Sequence, residues 1–147
     1  VLPLVSVNAL DFSVSATGAT QTQENSKSAF GTAFRLEKFV TDSVSFGAVQ
    51  GVSYASAAST VRGSTELFGA YNLNYTVFRF KNTTFAGAAS GVGYGDGAAE
   101  WTAGPLLGNR FFLKDNVYLL TQANYDVGLN PAASNSVRYT IGIGIRF

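Results

Sequence analysis

The chain has 147 residues, enough for one domain, and its charged content of 13% is half the usual quarter of a soluble domain while aromatics reach 14%. Ten Lys and Arg against nine Asp and Glu leave a net charge of +1, which gives no reason to expect nucleic acid or a polybasic membrane contact. With no Cys and no His there are no disulfides and no credible zinc or copper site, so no metal or other cofactor is expected.

Val1-Leu2-Pro3-Leu4 lacks the basic and long apolar regions of a secretory leader; the expectation is that a leader has been removed and that residues 1–7 form an N-terminal extension. No apolar run approaches the roughly 18 residues that a helical membrane span needs. The hydrophobicity alternates instead, which explains a mean hydropathy of only +0.14. Segments with strand character run at 8–20, 28–39, 43–54, 64–77, 83–94, 98–112, 116–127 and 136–147.

In the second segment Phe30, Phe34 and Leu36 oppose Ala29, Gly31, Ala33, Arg35 and Glu37. The third sets Val44, Phe46, Val52 and Tyr54 against Ser45, Gly47, Gly51 and Ser53. In the fourth, Leu67, Tyr71, Leu73 and Tyr75 oppose Glu66, Asn72 and Asn74. The fifth is rich in Gly and Ala, and its alternation does not fix its faces. The sixth contains Pro105, which removes a ladder donor and predicts a bulge or a weakened pairing. The seventh sets Val117, Leu119, Ala123 and Tyr125 against Gln122, Asn124 and Asp126.

Phe39-Val40-Thr41-Asp42-Ser43-Val44 resembles Phe112-Leu113-Lys114-Asp115-Asn116-Val117, an aromatic closing one strand, an Asp in a tight turn and a Val opening the next. Even strand number then puts both turns on the rim that carries the carboxy terminus. The opposite rim carries connections at 21–27, 55–63, 95–97 and 128–135, all short and built of small residues.

Charge decides which face is which. An Arg or Lys facing lipid near mid-bilayer costs roughly 2–4 kcal/mol, and a slip of one residue inverts every side chain. The register that avoids this puts Asp11, Arg35, Glu37, Glu66, Glu100, Arg110, Asp126, Arg138 and Arg146 in the lumen. Tyr54, Tyr75, Trp101, Tyr125 and Tyr139 then fall where interfacial girdles form. The predicted fold class is all-β, an eight-stranded antiparallel up-and-down transmembrane β-barrel. A soluble ligand-binding calyx, apolar inside, is the competing fold. Exposed soluble strands carry more Lys and Glu than Ser45-Gly47-Gly51 or Thr140-Gly142-Gly144 provide.

The last segment alternates most strictly: Val137, Tyr139, Ile141, Ile143, Ile145 and Phe147 against Arg138, Thr140, Gly142, Gly144 and Arg146. Thr140, Gly142, Ile145 and Phe147 form a polar-x-Gly-x-x-apolar-x-aromatic pattern. It resembles the signal that hands bacterial outer-membrane barrels to their insertion machinery. The chain as a whole resembles the small outer-membrane barrels of the OmpA and OmpX group. That resemblance implies a bacterial outer-membrane location with the carboxy terminus on the periplasmic side. It also implies outer-membrane lipid and the barrel-assembly machinery as partners, and no common catalytic site. OmpX-like barrels extend long loops outward, and the short connections here depart from that.

Catalysis is not expected, because the barrel enzyme families rely on a histidine as acid or base and none is present. Glu66 and Glu100 are the conceivable carboxylate pair. Ser90-Gly91-Val92-Gly93-Tyr94-Gly95 lacks the Lys and helix of a phosphate loop. Asn74-Tyr75-Thr76 and Asn82-Thr83-Thr84 match glycosylation sequons, which mean little in a bacterium, and Glu24 and Asp96 form no calcium constellation. The lumen charges are the one real constellation. They favour a non-enzymatic structural or interaction component whose lumen is closed by ion pairs, over a narrow porin-like channel. Protein partners in a membrane assembly would meet the wall, where Ala48, Gly69 and Ala103 permit close approach, or the rim near Lys38, Arg79, Lys81 and Lys114.

Overall fold

The computed structural model describes residues 9–21, 28–41, 43–55, 60–95, 99–130 and 135–147. The expected extension at 1–7, the connections at 22–27, 56–59, 96–98 and 131–134 with Glu24 and Asp96, Asp42, and the side chains of Ala29, Phe30 and Tyr54 lie outside that description. Eight strands follow one another: β1 (Leu10–Gln21), β2 (Ser28–Phe39), β3 (Val44–Ala55), β4 (Thr60–Val77), β5 (Phe80–Tyr94), β6 (Glu100–Phe112), β7 (Val117–Gly128) and β8 (Ser136–Arg146). Each pairs antiparallel with the next, and β1 closes on β8. Following the ladder from Asp11 through Glu37, Gly47, Phe68, Ala89 and Gly104, then carrying the β6–β7 register of Ala103↔Val127 across to Asp126 and on to Ser136, returns to β1 at Gln21, ten residues further along. A stagger of that size on eight strands fixes a steep tilt and an interior just wide enough for side chains.

Alternation sorts the side chains. Phe34, Leu36, Phe46, Leu67, Tyr71, Leu107, Tyr139, Ile141 and Ile143 stand outward and exposed. Lys38 is the one charged side chain on the outward face of the strands among the described residues, and it sits at the turn end of β2. The inside is polar and charged, with a buried apolar layer of Phe68, Phe85, Phe112, Tyr118 and Leu120. A soluble calyx has the inverse distribution. Strands of 11 to 18 residues meet the roughly 9–11 that a tilted membrane strand requires. The outward polar side chains Gln50, Thr65 and Tyr94 satisfy one another: Gln50 Nε2 donates to Tyr94 Oη at 2.8 Å and Thr65 Oγ1 to Gln50 Oε1 at 2.8 Å.

The repeated turn is a structural repeat. Val40 N–H donates to Val44 O at 3.0 Å and Leu113 N–H to Val117 O at 2.8 Å, with Thr41 and Lys114 donating to the same acceptors. Both turns share a rim with the chain end, where Arg146 N–H donates to Asn116 O and Phe147 N–H to Leu10 O, each at 2.8 Å. Pro105 interrupts the β6–β7 ladder without a bulge. Ala103↔Val127 and Leu106↔Asn124 keep a single register on either side of it, as expected where one ring nitrogen fails to donate. Strand five resolves as well: Thr83, Phe85 and Ala89 are buried inside, and Ala86, Ala88 and Ser90 face out.

Two boundaries differ from the sequence expectation. Thr60–Gly63, expected within a connection, pair with Val52–Ala55 and lengthen β4. β4 and β5 meet through Phe78 and Arg79 alone, because Val77 pairs with Phe80. Phe78 takes φ +56°, a conformation that disfavours L side chains by about 1–2 kcal/mol. No turn residue marks this site; the pairing of the flanking strands imposes it. Phe78→Gly is therefore expected to raise the denaturant midpoint of the detergent-folded barrel, by about 1 kcal/mol in unfolding free energy.

Candidate functional site

The lumen collects ionic side chains from six of the eight strands. β1 supplies Asp11, β2 Arg35 and Glu37, β4 Glu66, β6 Glu100 and Arg110, β7 Asp126, and β8 Arg138 and Arg146. The inward parity of each strand puts them there, and the stagger spreads them along the axis.

Near the terminal rim lies the densest group. Arg146 grips Asp11 in bidentate fashion, Nε to Oδ1 at 2.7 Å and Nη2 to Oδ2 at 2.8 Å. Arg110 stands between two acids, donating through Nη2 to Glu37 and lying 3.5 Å from Asp11 through Nε. Arg35 Nη2 donates to the same Glu37 oxygen at 3.1 Å and Arg35 Nη1 to Gln122 Oε1. Glu37 also accepts from Ser45 Oγ, which accepts from Asn72 Nδ2 at 2.8 Å, and Arg110 Nη1 closes the loop on Asn72 Oδ1 at 2.9 Å. Glu37, Asp11 and Arg110 are each 1% exposed or less, so these contacts replace hydration almost entirely.

Aromatic rings fill the space between the cations. Arg146 stacks 4.8 Å from the Phe39 centroid and 4.7 Å from Phe112. Arg110 lies 4.4 Å from Phe85, and Arg35 4.1 Å from Phe68. Three of the inward rings have a glycine directly across the ladder: Phe68 opposite Gly47, Phe85 opposite Gly108 and Tyr118 opposite Gly144. A Cβ at any of these glycines would meet its ring at 2.3–2.4 Å. The missing side chain lets each ring lie flat against the opposing strand.

Toward the other rim the fill thins. Arg138 joins Glu66 and, 3.2 Å from its Nε, Asp126. Arg62 Nη1 meets Glu100 Oε1 at 2.9 Å in a partly exposed pair. Glu66 and Glu100 thus belong to different arginines and form no carboxylate dyad. Among the described residues no group of three His, Cys, Asp or Glu is placed to hold a metal ion.

Arg62 is the ionic residue that sequence reasoning missed. Its segment is a connection by composition, and only the extended β4 alternation Arg62-Ser64-Glu66 signals its direction. The polar second layer (Ser45, Asn72, Gln122 and Asn124) has the right parity but carries no label as a charge partner. The carboxy-terminal residues divide: Gly142 and Thr140 are inward, Ile145 outward, and Phe147 is exposed at the rim. Gly142 also has a packing role, since a Cβ there would lie 2.5 Å from Val14 O.

Removing one partner of the buried group leaves the rest uncompensated. Glu37→Ala is expected to cost about 3–5 kcal/mol in urea unfolding from micelles, whereas Arg62→Ala at the wetter end costs about 1 kcal/mol or less.

No protein-family model and no curated protein sequence matches the chain. Solved structures do. Neisserial surface protein A is 15% identical, with a TM-score of 0.67 over 95% of this chain and 99% of that one. The N-terminal β-barrel domain of Pseudomonas aeruginosa OprF is 16% identical, with a TM-score of 0.66 over 96% and 98%. A barrel from the de novo design of transmembrane β-barrels is 14% identical, with a TM-score of 0.62 over 97% and 98%. The chain has the fold of the small eight-stranded outer-membrane barrels.

Proposed function

We propose that this chain is a non-enzymatic integral outer-membrane barrel with a closed lumen, serving as a structural or interaction component of the membrane. One observation carries the closure: the Arg146–Asp11–Arg110–Glu37–Arg35 chain of ion pairs, with Phe39, Phe68, Phe85, Phe112 and Tyr118 stacked between its members. An ion crossing that level would have to separate charges that have almost no contact with water. The carboxy-terminal rim is read as periplasmic, because the two- to four-residue connections there suit the minimal periplasmic turns of such barrels. Thr140, Gly142, Ile145 and Phe147 are read as the assembly signal for insertion.

Among the described residues the lumen carboxylates are held by arginines, which leaves no acid–base pair there free to act. With the loops short, the surfaces available to a protein partner are the outer wall and the two rims. Two measurements test the reading. In a planar bilayer the wild-type barrel is expected to be silent; discrete conductance steps that change in Arg138→Ala would support the porin-like channel instead. After gentle detergent extraction from the native membrane, the particle is expected in a larger, defined assembly. Recovery as a lone barrel of chain mass plus detergent would sink the structural-component reading.

A further inference from the structure

The lipid-facing wall carries a polar cluster where hydrocarbon contact would favour apolar side chains. Near the terminal rim Tyr75 Oη lies 2.9 Å from Thr84 Oγ1, which donates to Asn109 Oδ1 at 3.0 Å. All three point outward by strand parity. From this cluster a groove of about 460 Å³ runs along the wall, with Thr121 and Ala123 among its lining residues and Leu107 and Tyr139, both about 60% exposed, on β6 and β8 to either side. It is polar at the rim end and apolar further up, and its size lies within the range of small-molecule sites.

The rim below it is cationic. The β4–β5 and β6–β7 turns come together through Lys81 and Asp115, 3.7 Å apart. They bring Arg79 and Lys114 to the same quarter of the barrel, and neither has an ion pair among the described residues. That quarter of the rim therefore carries three positive side chains and one fully exposed carboxylate, which only Lys81 approaches among the described residues. At the opposite rim the described ionic side chains are Arg62 and Glu100, which neutralise each other on the lumen side.

We propose that this is a binding site for an anionic phospholipid. The headgroup phosphate meets Arg79, Lys81 and Lys114, the glycerol and ester oxygens meet the Tyr75–Thr84–Asn109 cluster, and one acyl chain lies over Thr121 and Ala123. The charge of the rim selects the headgroup, and the groove's polar-to-apolar gradient sets the lipid's direction. The site rests on the membrane placement of the barrel, and independently of whether the lumen conducts.

The test is native mass spectrometry of the detergent-folded full chain, titrated with phosphatidylglycerol and with phosphatidylcholine of identical acyl chains. Retention of phosphatidylglycerol is expected to exceed that of phosphatidylcholine several-fold. The combined Arg79→Ala, Lys81→Ala and Lys114→Ala variant loses that preference, by up to about fivefold per cation. Ala123→Trp, which fills the groove, lowers retention of both lipids. Lys38→Ala, a cation of the same rim remote from the groove, keeps the wild-type preference. Lys38 and Ala123 are on the outer wall, Arg79 and Lys114 are in the rim turns, and Lys81 sits at the open rim with the inward parity of Thr83; the heat-shifted mobility of the folded barrel checks each variant. Equal retention of the two lipids overturns the proposal. So does a preference that survives the triple variant, an Ala123→Trp barrel that binds as wild type, or a Lys38→Ala effect as large as that of Lys114→Ala. A chain that stays folded and monomeric without detergent would instead remove the membrane placement itself, a separate failure.

Discussion

The interior of an eight-stranded barrel holds side chains and little else, so every charge that enters it must find its countercharge within a few ångströms. Glu37 is where that constraint is met most tightly. It receives Arg35, Arg110 and Ser45 at once, and Arg110 extends the set to Asp11 and Asn72. These side chains come from five strands, β1, β2, β3, β4 and β6, so the network cross-links the barrel in a way the ladder alone does not. The aromatic rings exclude water from these pairs, and the glycines opposite them provide room for the rings. Charge pairing, ring stacking and the absence of three side chains therefore form one arrangement. A change at Gly47, Gly108 or Gly144 would displace a ring before it touched an ion pair.

The outer wall obeys the opposite requirement, and divides around the circumference. β8, β1 and β2 present Ile141, Ile143, Phe12, Val14, Phe34 and Leu36, a run of branched and aromatic side chains. β3 to β7 also present large residues such as Phe46, Leu67, Leu73, Leu107 and Leu119, but intersperse them with Ala48, Gly69, Ala86, Ala88 and Ala123 and with hydroxyl and amide groups. Where polar groups do face outward they bond to one another, as Gln50, Thr65 and Tyr94 do, which limits the cost of facing hydrocarbon. The two sides of the barrel offer the surrounding membrane different chemistry.

Much of this was legible in the sequence because period-two alternation survives any uncertainty in strand ends. Arg35 and Glu37 share parity with Ala33, and Leu36 with Phe34, whichever residue begins the strand. The barrel closure followed from eight such segments in 147 residues. What alternation does not carry is the pairing register, and so it does not carry which arginine meets which acid. Arg138 meets Glu66 across 72 positions of sequence, and Arg146 meets Asp11 across 135. Those contacts depend on the stagger of the closed sheet. Strand five was opaque for a different reason: Ala and Gly alternate with Ala and Gly, and only the neighbouring β4 ladder assigns Phe85 inward. The Phe78 turn escaped because its conformation is imposed by strands on either side rather than by its own residues.

Sequences related only by pattern reach this barrel, so the features that distinguish one member from another are those the pattern does not demand. Consistency of local and global preferences specifies the fold, and departures from it mark places held by something else. Three such departures stand out here: a bulky residue in a left-handed turn at Phe78, a ladder interruption at Gly104 and Pro105, and a hydrogen-bonded polar cluster on the wall at Tyr75, Thr84 and Asn109. Phe78 and the polar cluster lie at the same end of the adjoining strands β4 and β5, at the terminal rim beside Arg79, Lys81 and Lys114. The buried ionic core keeps the barrel's shape whatever the wall does. The chemistry that would let this barrel tell one neighbour from another is therefore gathered on the outside of β4 to β7, at the terminal rim.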